Sequence, residues 1–223
     1  MLHDFGEEQS IVFLNYRDGV ERTAKYLADE GFAVCAFHGG LDQRQREEAI
    51  YRFANKSVNV LVATDLAARG LDIPDVDNII HYNLPVGEEE YIHRIGRTGR
   101  WDATGNSFII LGPEEHMPEY VKEQTNEYDP PKSTWDVPRP RMATLYIGKG
   151  KKDKLSKGDI LGFLCKTCGL KGEDIGRIDV YERFAYVAVN RWLANGVMKT
   201  AEKGAKIKGV RTVLQLAFEK III

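Results

Sequence analysis

Short apolar runs alternate with amphipathic stretches along the first half of the chain. The runs are rich in β-forming residues, whereas the stretches between them repeat apolar residues at helical spacing, as at Val20, Ala24 and Leu27. Predicted strands cover residues 10–14, 32–37, 58–63, 76–82 and 105–111, and predicted helices cover residues 18–30, 42–54 and 91–96. This alternation predicts an α/β domain whose parallel sheet carries helices on both faces.

The order of elements changes after residue 142. Strands are predicted at residues 144–147, 175–181, 184–189 and 210–216, with one helix from Ser156 to about Cys168 and another from Trp192 to about Lys203. The resulting order, β-α-β-β-α-β, is the ferredoxin-like split that RNA-recognition motifs use. Four of the eight prolines lie in residues 129–141, which indicates an extended connection. We therefore expect one domain at residues 1–128, a proline-rich linker at 129–142 and a second domain at 143–223.

Composition excludes several classes of protein. The chain has 223 residues, 43% of them hydrophobic, which is enough to build two modest cores. No apolar run is long enough to span a bilayer, and the start shows no secretory pattern. Three cysteines do not make a disulfide framework. We expect a cytoplasmic monomer without a membrane partner.

The two halves carry opposite charge. Residues 1–142 contain 15 Lys and Arg against 25 Asp and Glu, a balance of −10, whereas residues 143–223 contain 16 against 8, a balance of +8. A basic domain behind an acidic one indicates a polyanionic partner such as nucleic acid for the second domain. The alternative is a lysine-rich surface that is merely solvated.

Polar clusters follow the predicted strands of the first domain, at residues 15–17, 38–40 and 64–72. Ligands of parallel sheets bind at the carboxyl ends of strands, so these clusters are candidate site residues. A fourth cluster, residues 93–100, contains three arginines and two glycines. Arg97 and Arg100 are spaced to lie on one side of a helical turn, an arrangement that suits a phosphoryl group. The alternative is a surface pair of arginines held in salt bridges.

The same residues resemble motifs of the DEAD-box RNA helicases. Residues 93–100 resemble motif VI, residues 64–72 resemble motif V, residues 11–17 resemble motif IV, and Gln43 to Arg46 resemble the Q-x-x-R element. The motifs occur in family order over roughly residues 5–125. The resemblance implies the second RecA-like domain of such a helicase.

The resemblance also implies roles for individual residues. Arg97 and Arg100 would approach the γ-phosphate of ATP, Asp72 with neighbouring Gly70 would bind its ribose, and His93 would tie the nucleotide site to the partner domain. Contacts to the RNA sugar-phosphate backbone would come from Arg17, Gly39, Gln43, Arg46 and Thr64. Such contacts avoid base edges, so little sequence preference is expected from this domain.

Two motifs of the family do not occur in the sequence. There is no G-x-x-x-x-G-K-[ST] loop and no Asp-Glu-Ala-Asp run. In the family both belong to the first RecA-like domain, which would therefore hold the Mg²⁺ of the ATP complex. We expect that domain, from the same protein, to be the partner of this chain, and we expect the chain alone to hydrolyse no ATP.

The second domain offers aromatic and basic candidates for RNA binding. Tyr146 on the first strand could join Phe184 and Tyr186 on the third as a platform on which bases stack. The alternative is that these rings pack under the linker or the C-terminal tail. Lysines and an arginine that could contact phosphates form two clusters, one of Lys149, Lys151, Lys152 and Lys154 and one of Lys206, Lys208 and Arg211.

Residues 150–154, 174–178 and 206–209 resemble the C-terminal domain of the DbpA/YxiN subfamily. That resemblance implies binding of a large-subunit ribosomal RNA hairpin during ribosome assembly. Two other readings stay open, namely a stand-alone RNA-binding or assembly module without ATPase activity and half of a DNA helicase. Cys165 and Cys168 lack two further ligands, so no metal site is expected.

Overall fold

The computed structural model describes residues 1–65, 76–98, 105–121, 125–130, 136–204 and 206–217. The chain forms two compact units. The first comprises residues 1–54 and 58–139, and the main part of the second begins at Pro140.

The first unit contains a five-stranded parallel sheet. Its strands are β1 (Ser10–Leu14), β2 (Val34–Phe37), β3 (Val60–Thr64), β4 (Asn78–His81) and β5 (Asn106–Ile109). They lie in the order β2-β3-β1-β4-β5, and every neighbouring pair is parallel. The predicted parallel sheet is confirmed. Its carboxyl ends meet at one edge, as the sequence interpretation required.

Helices cover both faces of this sheet. They are α1 (Arg17–Asp29), α2 (Gln43–Ala54) and α3 (Glu88–Ile95). Ile11 and Phe13 of β1 pack in one core cluster with Phe53 of α2, whereas Val12 packs in a second cluster with Val20 of α1. Successive strand residues point to opposite faces, so β1 is apolar on both sides and is buried throughout. Burial of each of these large side chains contributes about 2 kcal/mol to stability.

The second unit contains a four-stranded antiparallel sheet and two helices. Its strands are β6 (Met142–Ile147), β7 (Ile175–Val180), β8 (Ala185–Asn190) and β11 (Leu214–Leu216), in the order β11-β6-β8-β7. Helix α4 (Lys157–Gly162) runs on into a π-helical turn (Phe163–Thr167), and α5 is Arg191–Glu202. Short 3₁₀ turns lie at Lys151–Asp153 and Gly172–Asp174. This order confirms the ferredoxin-like prediction.

The last strand differs from the prediction. Only Leu214–Leu216 pairs with β6, whereas β9 (Lys206–Ile207) and β10 (Val210–Arg211) form a separate hairpin. The chain reverses at Lys208 and Gly209, which have φ angles of 51° and 76°. Two consecutive residues with positive φ make a hairpin turn, which pairs Val210–Arg211 with β9 and leaves only the end of the strand predicted over residues 210–216 to join the sheet.

Local signals fix other parts of the second unit. Ser156 caps α4, because its Oγ accepts a hydrogen bond from the Asp159 backbone N–H, and Asp159 Oδ2 accepts one from the Ser156 N–H. Strand β7 lies at one end of the sheet, and its register with β8 shifts between Ile175 and Ile178. None of the helices in the described ranges is long and apolar enough to cross a membrane.

Candidate nucleic-acid interface

Arg94 of α3 is buried at the carboxyl edge of the sheet, with 1% exposure. Its Nε and Nη2 donate to the two carboxylate oxygens of Asp65, at 2.6 and 2.7 Å. Nη2 also donates to Asn15 Oδ1 at 2.9 Å, and Nη1 donates to the carbonyl oxygen of Asn83 at 2.8 Å. The remaining N–H of Nη1 faces Nδ1 of His81 at 3.4 Å. All five donors of the guanidinium group are thus accounted for.

His81 completes this network as a neutral side chain. Burial, with a further contribution from the Arg94 charge, lowers the pKa of His81 to about 4. Arginine only donates hydrogen bonds, so Nδ1 of His81 accepts and the ring proton resides on Nε2. Nε2 lies 3.1 Å from Ser107 Oγ and donates to it.

The Arg94 network joins four elements of the first unit. Asn15 follows β1, Asp65 follows β3, and His81 and Asn83 lie at the end of β4, whereas Arg94 comes from α3. The network therefore fixes α3 on the edge of the sheet where the motif residues gather. Sequence reasoning assigned Arg94 no role, because its spacing does not distinguish it from Arg97 and Arg100.

The predicted nucleotide residues are described only in part. His93 is exposed, with Nδ1 4.0 Å from Glu89 on the same helix. Helix α3 ends at Ile95, so Arg97 lies in the following turn and not on a helical face as its spacing suggested. The Arg97 carbonyl accepts from the Val76 N–H at 3.1 Å, which anchors that turn beside β4. Gly70, Asp72 and Arg100 lie outside the described residues.

Three of the five predicted RNA-backbone residues lie close together. Gly39 is exposed in the turn after β2, and Arg46 Nη2 donates to its carbonyl oxygen at 2.9 Å. Arg17 is exposed, pairs with Asp18 at 3.2 Å, and has Nη1 3.7 Å from the position of a Cβ built on Gly40.

The other two differ in setting. Gln43 begins α2, exposed, and donates from Nε2 to Glu47 at 2.8 Å. Thr64 is buried at the end of β3, opposite Leu14. Its hydroxyl is therefore less accessible than the other four groups.

The second unit brings four aromatic rings together on one side of its sheet. Tyr146 and Tyr186 are opposite each other in the β6–β8 register, with ring centroids 6.0 Å apart. Phe184 lies 5.9 Å from Tyr146 and 4.7 Å from Tyr181. Val187 and its neighbours at alternate positions of β8 point into the core instead. Sequence reasoning missed Tyr181, which ends the second predicted strand and so sits beside Phe184.

A glycine joins the basic loop, residues 149–154, to this aromatic cluster. A Cβ on Gly150 would lie 2.3 Å from the Tyr181 carbonyl oxygen and 2.6 Å from the Phe184 nitrogen. The N–H groups of Lys151 and Lys152 donate to the carbonyls of Tyr181 and Glu182, at 2.8 and 2.9 Å. Only glycine permits this approach, which brings the backbone of Lys151 and Lys152 next to the segment that carries Tyr181 and Phe184.

The predicted phosphate-binding cations differ in their partners. Lys149 pairs with Asp153 at 2.9 Å. Lys208 donates to the Lys154 carbonyl at 2.6 Å and to Asp159 at 3.2 Å, so it ties the β9–β10 hairpin to the basic loop. Exposed cations without an ion-pair partner among the described residues are Lys151, Lys152, Lys154, Lys206 and Arg211.

The cysteines of the second unit are free thiols. Burial raises the pKa of Cys168 to about 11, which makes its thiol unreactive at neutral pH. Within the described ranges, no three or more His, Cys, Asp or Glu side chains come together as a metal site.

Comparison with known protein families divides the chain into two matched segments. Residues 2–102 match the helicase conserved C-terminal domain, and residues 144–215 match the DbpA RNA-binding domain. The two segments contain the Arg94 network and the aromatic cluster with its basic loop, respectively.

Similar proteins contain both segments. The chain is 38% identical to the ATP-dependent RNA helicase DbpA of Escherichia coli over 205 residues, which cover 89% of this chain and 45% of that protein. It is 28% identical to DbpA of Bacillus subtilis, over 90% of this chain and 49% of the relative. The chain thus spans about half the length of these relatives.

Among solved structures, the E. coli DEAD-box protein SrmB, bound to regulator of ribonuclease activity A, is 43% identical with a TM-score of 0.44. The match covers 46% of this chain and 60% of SrmB. With both family segments in succession, the chain corresponds to the C-terminal part of a DbpA-like DEAD-box RNA helicase.

Proposed function

We propose that the chain supplies half of a composite ATPase and RNA-clamping site together with an RNA-targeting module. The observation that carries the proposal is the Arg94 network, which joins the segment bearing Thr64 to the helix that precedes Arg97. A rigid connection of this kind would link RNA contact to nucleotide contact within one domain. The whole enzyme would be an ATP-dependent RNA helicase.

The nucleotide site would be completed by a first RecA-like domain of the same protein. Arg97 and Arg100 would neutralise charge on the γ-phosphate of ATP, and Asp72 beside Gly70 would bind the ribose. A planar guanidinium is the side chain best suited to phosphate, so these residues fit that ligand. ATP, when bound, supplies the phosphoanhydride whose hydrolysis drives the cycle. Mg²⁺ would be held by the first RecA-like domain, and His93 would tie the nucleotide site to that domain.

RNA contact in the first unit would be made through the backbone. Arg17 and the Gly39 turn are exposed, Arg46 beside them is half-buried, and together they form a small cluster whose donors suit phosphate oxygens. Gln43 and Thr64 would contribute polar groups nearby. Since no base edge is read, strand engagement by this unit would be independent of sequence.

Targeting would come from the second unit. The rings of Tyr146, Tyr181 and Phe184 are partly exposed and offer a surface for unpaired bases, whereas Tyr186, which packs against them, is buried and would support them from below. Lys151 and Lys152 beside these rings offer charge for phosphates. We propose a hairpin of large-subunit ribosomal RNA as target, which places the enzyme in ribosome assembly in the cytoplasm.

Two assays test the function. In the first, the chain is mixed with the first RecA-like domain of a DbpA relative, and RNA-stimulated phosphate release is measured. We expect release only from the mixture, and we expect Arg97→Ala to abolish it. Phosphate release from the chain alone would contradict the shared site. If neither the chain nor the mixture releases phosphate, a stand-alone binding module is favoured.

In the second assay, a labelled ribosomal hairpin and a scrambled hairpin are titrated with the chain at two salt concentrations. We expect selective binding that Phe184→Ala weakens about tenfold, the scale of one lost base stack. Trp192→Ala is the matched control, since Trp192 is exposed on α5 and makes no ring contact with the residues that the structure describes. Equal affinity for both hairpins would refute specific targeting. If a DNA hairpin of the same sequence, titrated alongside, binds more tightly than the RNA, the DNA-helicase alternative is favoured.

A further inference from the structure

His38 is buried beside the RNA-backbone cluster of Arg17, Gly39 and Arg46. It follows β2 and is 2% exposed, although Gly39 and Gly40 beside it are exposed. The Leu41 N–H donates to the His38 carbonyl at 3.2 Å, so residues 38–41 form a closed turn that leads into α2. A buried polar ring at such a position calls for a reason beyond packing.

The ring of His38 supports this turn from inside. The Gly40 N–H donates to Nδ1 at 3.1 Å. A Cβ on Gly40 would lie 3.1 Å from Nδ1, so a larger residue would press on the ring. A Cβ on Gly39 would meet nothing within 4 Å, which leaves that side of the turn open to a ligand. The imidazole therefore sets the direction of the backbone that the ligand would meet.

The two arginines of the cluster are coupled to the same turn. Arg46 donates to the Gly39 carbonyl, and Arg17 Nη1 lies beside Gly40. A change in the conformation of the turn would displace the Gly39 carbonyl that accepts from Arg46. It would also displace Gly40, which lies next to the Arg17 guanidinium. We propose that His38 is a positioning residue that holds the Gly39–Gly40 turn, and with it Arg46, in the geometry that receives an RNA phosphate. This inference rests on the RNA-backbone role proposed above.

The protonation state of His38 follows from its surroundings. Because Nδ1 accepts from Gly40, the neutral ring carries its proton on Nε2, which faces Glu21 Oε1 at 3.4 Å. Burial lowers the pKa of His38; Arg17 and Arg46 lower it further, whereas Glu21 and Asp18 oppose this. At neutral pH the acceptor is therefore in place. Protonation would put a hydrogen on Nδ1 against the Gly40 N–H, and the turn would have to open.

The test compares two substitutions in the full chain. His38→Leu removes the acceptor. His38→Asn retains one, because an asparagine Oδ1 readily accepts from the N–H two residues on, and it does not titrate. The ligand is oligouridylate, which forms no hairpin, and every variant is compared in a Phe184→Ala background, because the ring cluster proposed above would also bind unpaired bases. All histidines lie at positions 3, 38, 81, 93 and 116, so the second unit contributes no histidine titration.

We expect His38→Leu to weaken oligouridylate binding about fivefold at pH 7.5, the scale of one lost hydrogen bond, and His38→Asn to bind within twofold of the wild type. Below the ordinary histidine range, the wild type should lose affinity relative to His38→Asn. Exchange of the Gly40 amide, followed by NMR, should be fast in His38→Leu and slow in His38→Asn, which separates turn opening from unfolding.

Arg46→Ala separates this inference from the function on which it rests. If Arg46→Ala weakens binding but His38→Leu does not, or if the wild type and His38→Asn share one pH profile, the positioning role is overturned. If Arg46→Ala and Arg17→Ala both bind like the wild type, the RNA-backbone role itself fails and the His38 role falls with it.

Discussion

Arg94 holds both carboxylate oxygens of Asp65, at 2.6 and 2.7 Å, although the two residues are 29 positions apart. This bidentate pair joins the segment after β3 to helix α3, and the other donors of Arg94 reach Asn15, His81 and Asn83. Because all five donors of Arg94 are bound, its guanidinium group is held in one orientation. The motif segments that bind it are therefore held in fixed positions relative to one another.

Replacing Arg94 should therefore destabilise the first unit more than any exposed arginine would. Arg94→Met leaves Asp65 unpaired and the acceptors of Asn15, Asn83 and His81 unsatisfied. We expect a loss of about 3 kcal/mol in the free energy of unfolding, at the lower end for a broken buried pair because Asp65 is partly exposed. Calorimetry of the full chain should show a lower transition temperature for the first unit only. Arg17→Met, which removes an exposed ion pair, should change the free energy of unfolding by less than about 0.5 kcal/mol.

The pH dependence of stability should carry a signature of His81. Its folded pKa of about 4 lies below the ordinary histidine value, so the unfolded state binds a proton first as the pH falls. The stability that neutral His81 contributes is complete above about pH 6.5 and is lost progressively towards pH 4. His81→Asn should remove this loss. The difference in free energy of unfolding between the wild type and the variant should therefore shrink by about 2 kcal/mol between pH 7 and pH 4.5. The free energies are measured by urea unfolding at each pH. If they fall in parallel for the wild type and His81→Asn, the buried neutral ring is contradicted.

Gly150 should be intolerant of any side chain. The atoms that a Cβ would meet belong to the backbone of Tyr181, Arg183 and Phe184, which cannot swing away. We expect Gly150→Ala to cost about 2 kcal/mol and to weaken hairpin binding, as the basic loop moves off the aromatic cluster. Gly162→Ala in α4 is the control, because nothing lies within 4 Å of its Cβ position. Unfolding and hairpin titration of both variants measure the contrast.

Two lysines of the second unit should differ in their salt dependence. Lys152 is exposed and forms no ion pair with the residues that the structure describes, so Lys152→Ala should lower the slope of log affinity against log salt by about 0.7. The Lys208 ammonium group is engaged by the Lys154 carbonyl and Asp159. Lys208→Ala should leave the slope unchanged and lower the stability of the unit by about 1 kcal/mol. A drop in slope for Lys208→Ala would show that Lys208 contacts phosphate.

The strands of both sheets could be predicted because their short apolar runs are rich in β-forming residues and are bounded by polar residues. The prediction for Ser10–Leu14 matches β1 to the residue, and of the two alternating aromatic residues Tyr186 lies in β8 whereas Phe184 directly precedes it. The hairpin of β9 and β10 was not predictable in the same way. It depends on Lys208 adopting a positive φ angle, which its side chain gives no reason to expect.

Burial of charged side chains was also beyond the sequence. Arg94, Arg97 and Arg100 recur every third residue, and only the end of α3 at Ile95 separates the first from the others. From the sequence, His38 is predicted only as a polar residue in the cluster that follows a strand, whereas the structure buries its ring inside the turn. The partners of Arg94 come from distant segments, which local periodicity does not record. The partner of His38 is the nearby Gly40 N–H, and the burial of the ring depends on how the turn packs in the folded domain.

The shifted register of β7 bears on how the second unit behaves in a crowded solution. An outer strand exposes unpaired backbone groups that can recruit a strand from another molecule. In β7 the irregularity between Ile175 and Ile178 breaks the regular spacing of those groups, and the charged pair of Arg177 and Asp179 lies along the same strand. Intermolecular strand addition is thereby discouraged at this border, so an RNA-binding unit can be held at high local concentration on its target without aggregating there.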